Sequence, residues 1–110
     1  HRLFERQARS TPDAIAVTAS SGNSLSYSKL NDCATRLATR LQSAGVTADE
    51  VIAFDADRSI DMVVCILAIL KAGAACLPLD SQHPRARLLQ MMQQARVRVC
   101  LSDNDAVSWP

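Results

Sequence analysis

The chain has 110 residues, enough for one domain around a single hydrophobic core and too few for two. Hydrophobic residues make up 48% of it and charged residues 21%, a globular composition that argues against a disordered or low-complexity chain. Twelve Lys and Arg against 11 Asp and Glu leave a net charge of +1, so charge predicts no nucleic-acid or membrane-surface partner.

Two features predict a cytoplasmic chain. Residues 1–6 bring in charges before the apolar segment of a signal peptide could form. The longest apolar run, residues 62–70, is much shorter than the roughly 20 residues that cross a bilayer. We therefore expect neither secretion nor a membrane span.

The cysteines predict no special chemistry. Their spacing includes no C-x-x-C pair, which argues against zinc or thioredoxin-like sites. Three lie in apolar runs, where a reduced thiol behaves as a small hydrophobic side chain. The four are Cys33, Cys65, Cys76 and Cys100.

The first segments predict a short helix and a hairpin. Residues 2–9 mix apolar and charged side chains, as a short amphipathic helix does, and the cluster at 10–13 stops it. Residues 14–19 include β-branched side chains and predict a strand. Its hairpin partner is expected at 25–27, across a turn at 20–23.

The clearest predicted helix spans residues 28–44, where apolar residues recur at helical spacing. Ser26 is suited to accept a backbone N–H as the N-cap. Gly45 is suited to the left-handed position just beyond the C-terminus. Both boundaries are therefore predicted.

The second half of the chain alternates strands with helices. The run 51–54 is apolar throughout, as in a strand covered on both faces. Such alternation is typical of βαβ crossovers, so we predict an α/β fold with an open, mainly parallel sheet and helices on both faces. The expected elements are strands at 51–54, 74–79 and 96–101, a helix at 60–70, and a helix from Pro84 with one buried stripe of Leu88, Met91, Met92 and Ala95.

The helix at 60–70 is apolar almost all the way round and has no obvious solvent face. A chain of 110 residues has little material to cover such a helix on two sides. We therefore expect the chain to be part of something larger. The alternative is a small domain built around one central helix.

Two aspartates follow the 51–54 strand, Asp55 and Asp57. This pattern resembles the D-x-D-x-[TV] strand of haloacid-dehalogenase-like phosphohydrolases, in which the first Asp is the nucleophile and the second the acid/base. Ser59 stands where that family usually has Thr or Val. The simpler interpretation is a strand end that turns polar, with Ser59 as the N-cap of the next helix.

Other candidate sites are weak. The three glycines lie singly and far apart, so no phosphate-binding loop is present in the sequence. His1 and His83 have no acidic or thiol partner at ligand or triad spacing. A modest basic group could hold an anion or an acidic neighbour, and its simpler interpretation is a solvated or inter-subdomain ionic surface. The group consists of Arg85, Arg87, Arg96 and Arg98.

Two motifs then resemble a known family. Leu25-Ser26-Tyr27-Ser28-Lys29-Leu30 resembles the first core motif of nonribosomal peptide synthetase adenylation domains, L-[TS]-Y-x-E-L. Residues 70–80, LKAGAACLPLD, resemble the second, L-K-A-G-x-A-Y-[VL]-P-[LI]-D, which is long and specific. The resemblance extends in order from residue 3 to about 102. Lys29 stands where the family usually has Glu, and Cys76 stands where it usually has Tyr or Phe. Both differences bear on packing.

The resemblance implies that residues 1–110 are an incomplete, N-terminal portion of an AMP-forming ligase domain. Such a domain uses ATP and Mg²⁺ to activate an amino acid and loads it onto the phosphopantetheine of a carrier. The implied partners are the rest of the domain and the carrier and condensation domains. The family's catalytic, ATP-binding and metal-binding residues come later in such chains, so none is assigned here. A non-catalytic, truncated interaction module is a further alternative.

Overall fold

Helices and strands alternate along the part of the chain that the computed structural model describes, which is residues 2–18, 22–55, 60–80, 82–101 and 107–108. The two halves of the chain form two separate sheets, one of two strands and one of four. In chain order the elements are α1 (Arg2–Ser10), β1 (Ile15–Thr18), β2 (Ser24–Ser26), α2 (Tyr27–Ser43), β3 (Val51–Asp55), α3 (Ile60–Lys71), β4 (Ala75–Leu79), α4 (Arg85–Gln94), β5 (Val99–Leu101) and β6 (Val107–Ser108).

The larger sheet has the strand order β4-β3-β5-β6. The central strand β3 is parallel to both neighbours, with Ile52 opposite Cys76 on one side and Val99 on the other. Because β4 and β5 lie on opposite sides of β3, the crossovers through α3 and α4 run in opposite directions. Right-handed crossovers then place these two helices on opposite faces of the sheet. The predicted fold class is confirmed, and β6 adds an antiparallel strand beside β5.

The core lies between this sheet, α3 and α2. Alternate residues of β3 and β5 point to one face and are buried there, and Phe54 is the largest of them. Full burial of such a side chain stabilises a fold by roughly 1.5–3 kcal/mol. The best buried large side chains are Phe54, Leu41, Ile52, Ile69, Leu101 and Val99.

The helix α2 begins where the sequence predicts its cap. Ser26 has extended backbone angles, and its hydroxyl accepts the backbone N–H of Lys29 at 3.2 Å. The helix therefore starts at Tyr27, one residue earlier than predicted. The short strand β2 ends at this same serine, so one residue closes the hairpin and opens the helix.

Three helices end in the same hydrogen-bonded turn. In each, the residue after the last turn takes a positive φ, and the N–H that follows it bonds back to a carbonyl five residues earlier. Gly45 at φ 89° and Gly73 at φ 84° hold this position after α2 and α3, and Arg96 at φ 56° holds it after α4. The closing bonds are Val46 N to Leu41 O at 3.1 Å, Ala74 N to Ile69 O at 3.1 Å, and Val97 N to Met92 O at 2.9 Å.

Two predictions around α4 were wrong. The strand expected at 96–101 covers only Val99–Leu101, because Arg96 is needed in the left-handed turn that ends α4. The buried stripe predicted on α4 is only half-buried, and no residue of that helix is fully buried. Among the described elements, α4 makes no extensive contact with any other, whereas α3 packs against β3, β4 and α2.

We expect Arg96→Gly to raise the free energy of unfolding by about 1 kcal/mol, because a side chain in the left-handed region costs roughly 1–2 kcal/mol that glycine does not incur. Arg96 is exposed, so little contact is lost. Urea unfolding monitored by circular dichroism measures the change.

The matched control is Gly73→Ala, which we expect to lower the free energy of unfolding by about 1 kcal/mol. A Cβ there would meet only the Ala48 Cβ, at 3.9 Å, so the cost is conformational and not steric. Equal effects of the two substitutions would contradict the turn assignment.

Candidate functional site

Lys71, the second residue of the 70–80 motif, fastens the N-terminal helix to the core. Its ammonium donates a hydrogen bond to Glu5 Oε2 at 3.0 Å, which joins α3 to α1 across 66 residues of sequence. The Lys71 side chain is 8% exposed and that of Glu5 37%. A cation at the C-terminal end of α3 also suits the helix dipole. The sequence analysis missed this pair, because no local pattern links residues so far apart.

The pair changes the acidity of Glu5. The hydrogen bond from Lys71, together with its positive charge, holds the pKa of the Glu5 carboxyl below its ordinary value, and Arg9 adds a smaller attraction. The carboxylate is therefore stabilised in the folded chain relative to the unfolded one.

The rest of the motif builds a helix end, an edge strand and a turn. Gly73 ends α3, and the N–H of Ala75 bonds to the Glu50 carbonyl at 2.9 Å to start β4 beside β3. Pro78 is exposed on β4, the edge strand of the described sheet, where a missing N–H is tolerated. Asp80 then accepts the N–H of Gln82 on its side chain at 2.9 Å. The described motif residues thus build the helix end, the edge strand and the turn.

In open parallel sheets, ligands bind at the carboxyl ends of the strands, at the point where successive chain connections leave toward opposite edges of the sheet. In the described sheet this point lies between β3 and β5. Asp55 is the last residue of β3 and lies at that end. Asp57 and Ser59 lie outside the described residues. The described structure therefore gives no distance between the two aspartates by which the phosphohydrolase hypothesis could be judged.

The four C-terminal arginines form no common site in the described structure. Arg98 makes an ion pair with Glu50, which agrees with the expected acidic neighbour. Arg87 donates to Gln90 within α4 at 3.1 Å, and Arg96 ends that helix. Arg85 and His83 are exposed, and the His83 backbone N–H bonds to the Asp80 carbonyl at 3.0 Å.

The cysteines are free, and Cys65 is buried in the core. Cys76, at the aromatic position of the motif, is half-buried on β4, and burial raises the pKa of its thiol. Among the described residues, no three His, Cys, Asp or Glu are grouped as a metal site needs. None of the described helices is long and apolar enough to span a membrane.

We expect the contribution of Glu5 to stability to depend on pH. Because its folded pKa is lowered, the stabilisation is complete above the pKa of an unpaired glutamate, about 4.3. It is lost as the pH falls through the lower folded value. Thermal melting of the native chain and of Glu5→Gln should therefore differ at pH 7 and converge near pH 3.

Asp49→Asn is the matched control, because Asp49 is exposed and makes no ion pair in the described structure. We expect it to leave the melting temperature nearly unchanged at both pH values. A Glu5→Gln difference that persisted undiminished at pH 3 would show that the contact does not depend on charge.

Comparison with known proteins agrees with the motifs. Residues 4–108 match the family described as AMP-binding enzyme. Bacitracin synthase 3 of Bacillus licheniformis is 43% identical over 104 residues, which make up 94% of this chain and 2% of the synthase. The chain therefore spans only a small part of that relative.

Two solved structures extend the likeness to the fold. The nonribosomal peptide synthetase FmoA3, in its alpha-methyl-L-serine-AMP bound form, has a TM-score of 0.87 and 34% identity over 92% of this chain and 11% of that one. The N-terminal subdomain of NpsA from Klebsiella oxytoca has a TM-score of 0.83 and 26% identity over 99% of this chain and 28% of that one. The chain belongs to the AMP-binding enzyme family, among the adenylation domains of nonribosomal peptide synthetases.

Proposed function

We propose that this chain is the scaffold portion of an adenylation domain that activates an amino acid with ATP and loads it onto a carrier. The observation that carries the proposal is the family match over residues 4–108, together with a motif at 70–80 that forms a continuous helix end, edge strand and turn. The FmoA3 structure, described as bound to an aminoacyl adenylate, supports an amino acid as the substrate class.

The proposed reaction has two steps. The amino-acid carboxylate attacks the α-phosphorus of ATP, which forms the aminoacyl adenylate and releases pyrophosphate. The thiol of a carrier's phosphopantetheine then attacks the acyl carbon and releases AMP. Magnesium balances the phosphate charges in the first step.

This chain supports the reaction by holding the sheet and its covering helices. We assign no catalytic, ATP-binding or metal-binding residue to it, since the family resemblance places those residues later in such chains. The chemistry then belongs to other segments of the parent domain, of which residues 1–110 are an incomplete N-terminal portion. The proposed partners are those segments and the carrier and condensation domains, in the cytoplasm.

The isolated 110-residue chain should show no amino-acid-dependent ATP–pyrophosphate exchange, because it lacks the reacting groups. The longer adenylation domain that contains it should exchange with at least one amino acid. Radiolabelled pyrophosphate, assayed against a panel of amino acids, measures both.

Exchange by the 110 residues alone would contradict the scaffold assignment. A parent that activates no amino acid but hydrolyses phosphate esters, and loses that activity in Asp55→Asn, would instead favour the phosphohydrolase alternative.

A further inference from the structure

A groove between α2 and α3 combines an apolar floor with basic walls. It encloses about 280 Å³ and is lined by Cys33, Arg36, Leu37, Arg40 and Val64. Cys33 is half-buried there, while Arg36 and Arg40 are exposed. We call this feature the α2–α3 groove.

The apolar side of the groove continues along the outer surface of α3. Residues that lie three and four positions apart on a helix share one face. One such face of α3 carries a row of five aliphatic side chains. Four of them are partly buried against the core, and the fifth, Leu70, is 38% exposed. The row consists of Ile60, Val63, Ile66, Leu67 and Leu70.

The basic side is a row of cations on α2. Lys29, Arg36 and Arg40 follow one another at seven and four residues, so they lie on one flank of the helix with Cys33. None of the three forms an ion pair within the described chain, and the guanidinium of Arg36 donates a hydrogen bond to the Cys33 sulfur at 3.8 Å. Asp32, four residues before Arg36, makes no ion pair with it either. Like charges along a helix flank repel, so a partner that supplies carboxylates would stabilise the row.

We propose that the α2–α3 groove binds another segment of the same N-terminal subdomain, an apolar segment with carboxylates at its margin. The inference rests on the proposed function. Four of the five residues of the row pack against the core cluster, as expected of packing within one domain. This chain also covers only 28% of the NpsA N-terminal subdomain that it resembles, so a complete subdomain contains much additional chain.

Cys33 reports whether the groove is covered. In the intact parent domain, we expect N-ethylmaleimide to label Cys33 at least about tenfold more slowly than a reference thiol made by Asp49→Cys in the exposed turn. Peptide-resolved mass spectrometry measures both rates in one sample. Equal rates would overturn the proposal.

Charge reversal tests the nature of the partner segment. Arg36→Glu with Arg40→Glu should raise the Cys33 labelling rate and lower the melting temperature of the parent by several degrees, whereas Arg6→Glu on α1 should do neither. Should the reversed domain fail to fold, Arg36→Gln with Arg40→Gln gives the same comparison without repulsion. Labelling unaffected by either pair would overturn the carboxylate assignment.

Two further outcomes are distinct. Cys33 could be protected only under conditions in which light scattering detects dimers of the parent. That result would assign the groove to a second copy and overturn the proposal.

Pyrophosphate exchange separates this inference from the proposed function. A parent that exchanges pyrophosphate but has a fast-labelling Cys33 contradicts only the docking of a segment in the groove. A parent with a protected Cys33 and no exchange contradicts only the function.

Discussion

The burial of α3 is the constraint on which the rest of this structure depends. Ten of its twelve residues are apolar, and the terminal Lys71 has a mostly buried side chain, which leaves Asp61 as the exception. Burial of apolar surface on every side therefore stabilises this helix. One side packs on the parallel sheet and another on α2, and the contact between α2 and α3 is the most extensive between any two described elements. The stacking of the sheet, α3 and α2 follows from covering this one helix.

The local signals hold the covering elements in place. Ser26 starts α2 at the point where the hairpin ends, and Gly45 and Gly73 turn the chain sharply after α2 and α3. Lys71 then ties α1 to the end of α3 through Glu5. Each contact is modest, but together they orient the helices over the apolar surface, whose burial supplies most of the stabilisation.

The same constraint leaves parts of the surface of the described chain incompletely covered. The outer row of α3 and the helix α4 are covered only in part within the described residues, and the cations of α2 have no acidic partners there. Within the described residues, the motif at 70–80 turns the chain and places β4 beside β3. The carboxyl ends of the strands, where an open sheet receives its ligand, lie beside segments outside the described residues.

The sequence by itself determined the elements whose causes are local. Helical periodicity, the Ser26 cap, the glycine turns and the β-branched runs predicted the α/β order, and the two motifs indicated the family, because each depends on residues close together in the chain. Only the tertiary structure decided the strand order, the Lys71–Glu5 pair, the Arg98–Glu50 pair and the left-handed turn at Arg96. These features depend on which distant segments meet. Arginine has no preference for a positive φ, so Arg96 adopts it because the chain must turn there to begin β5.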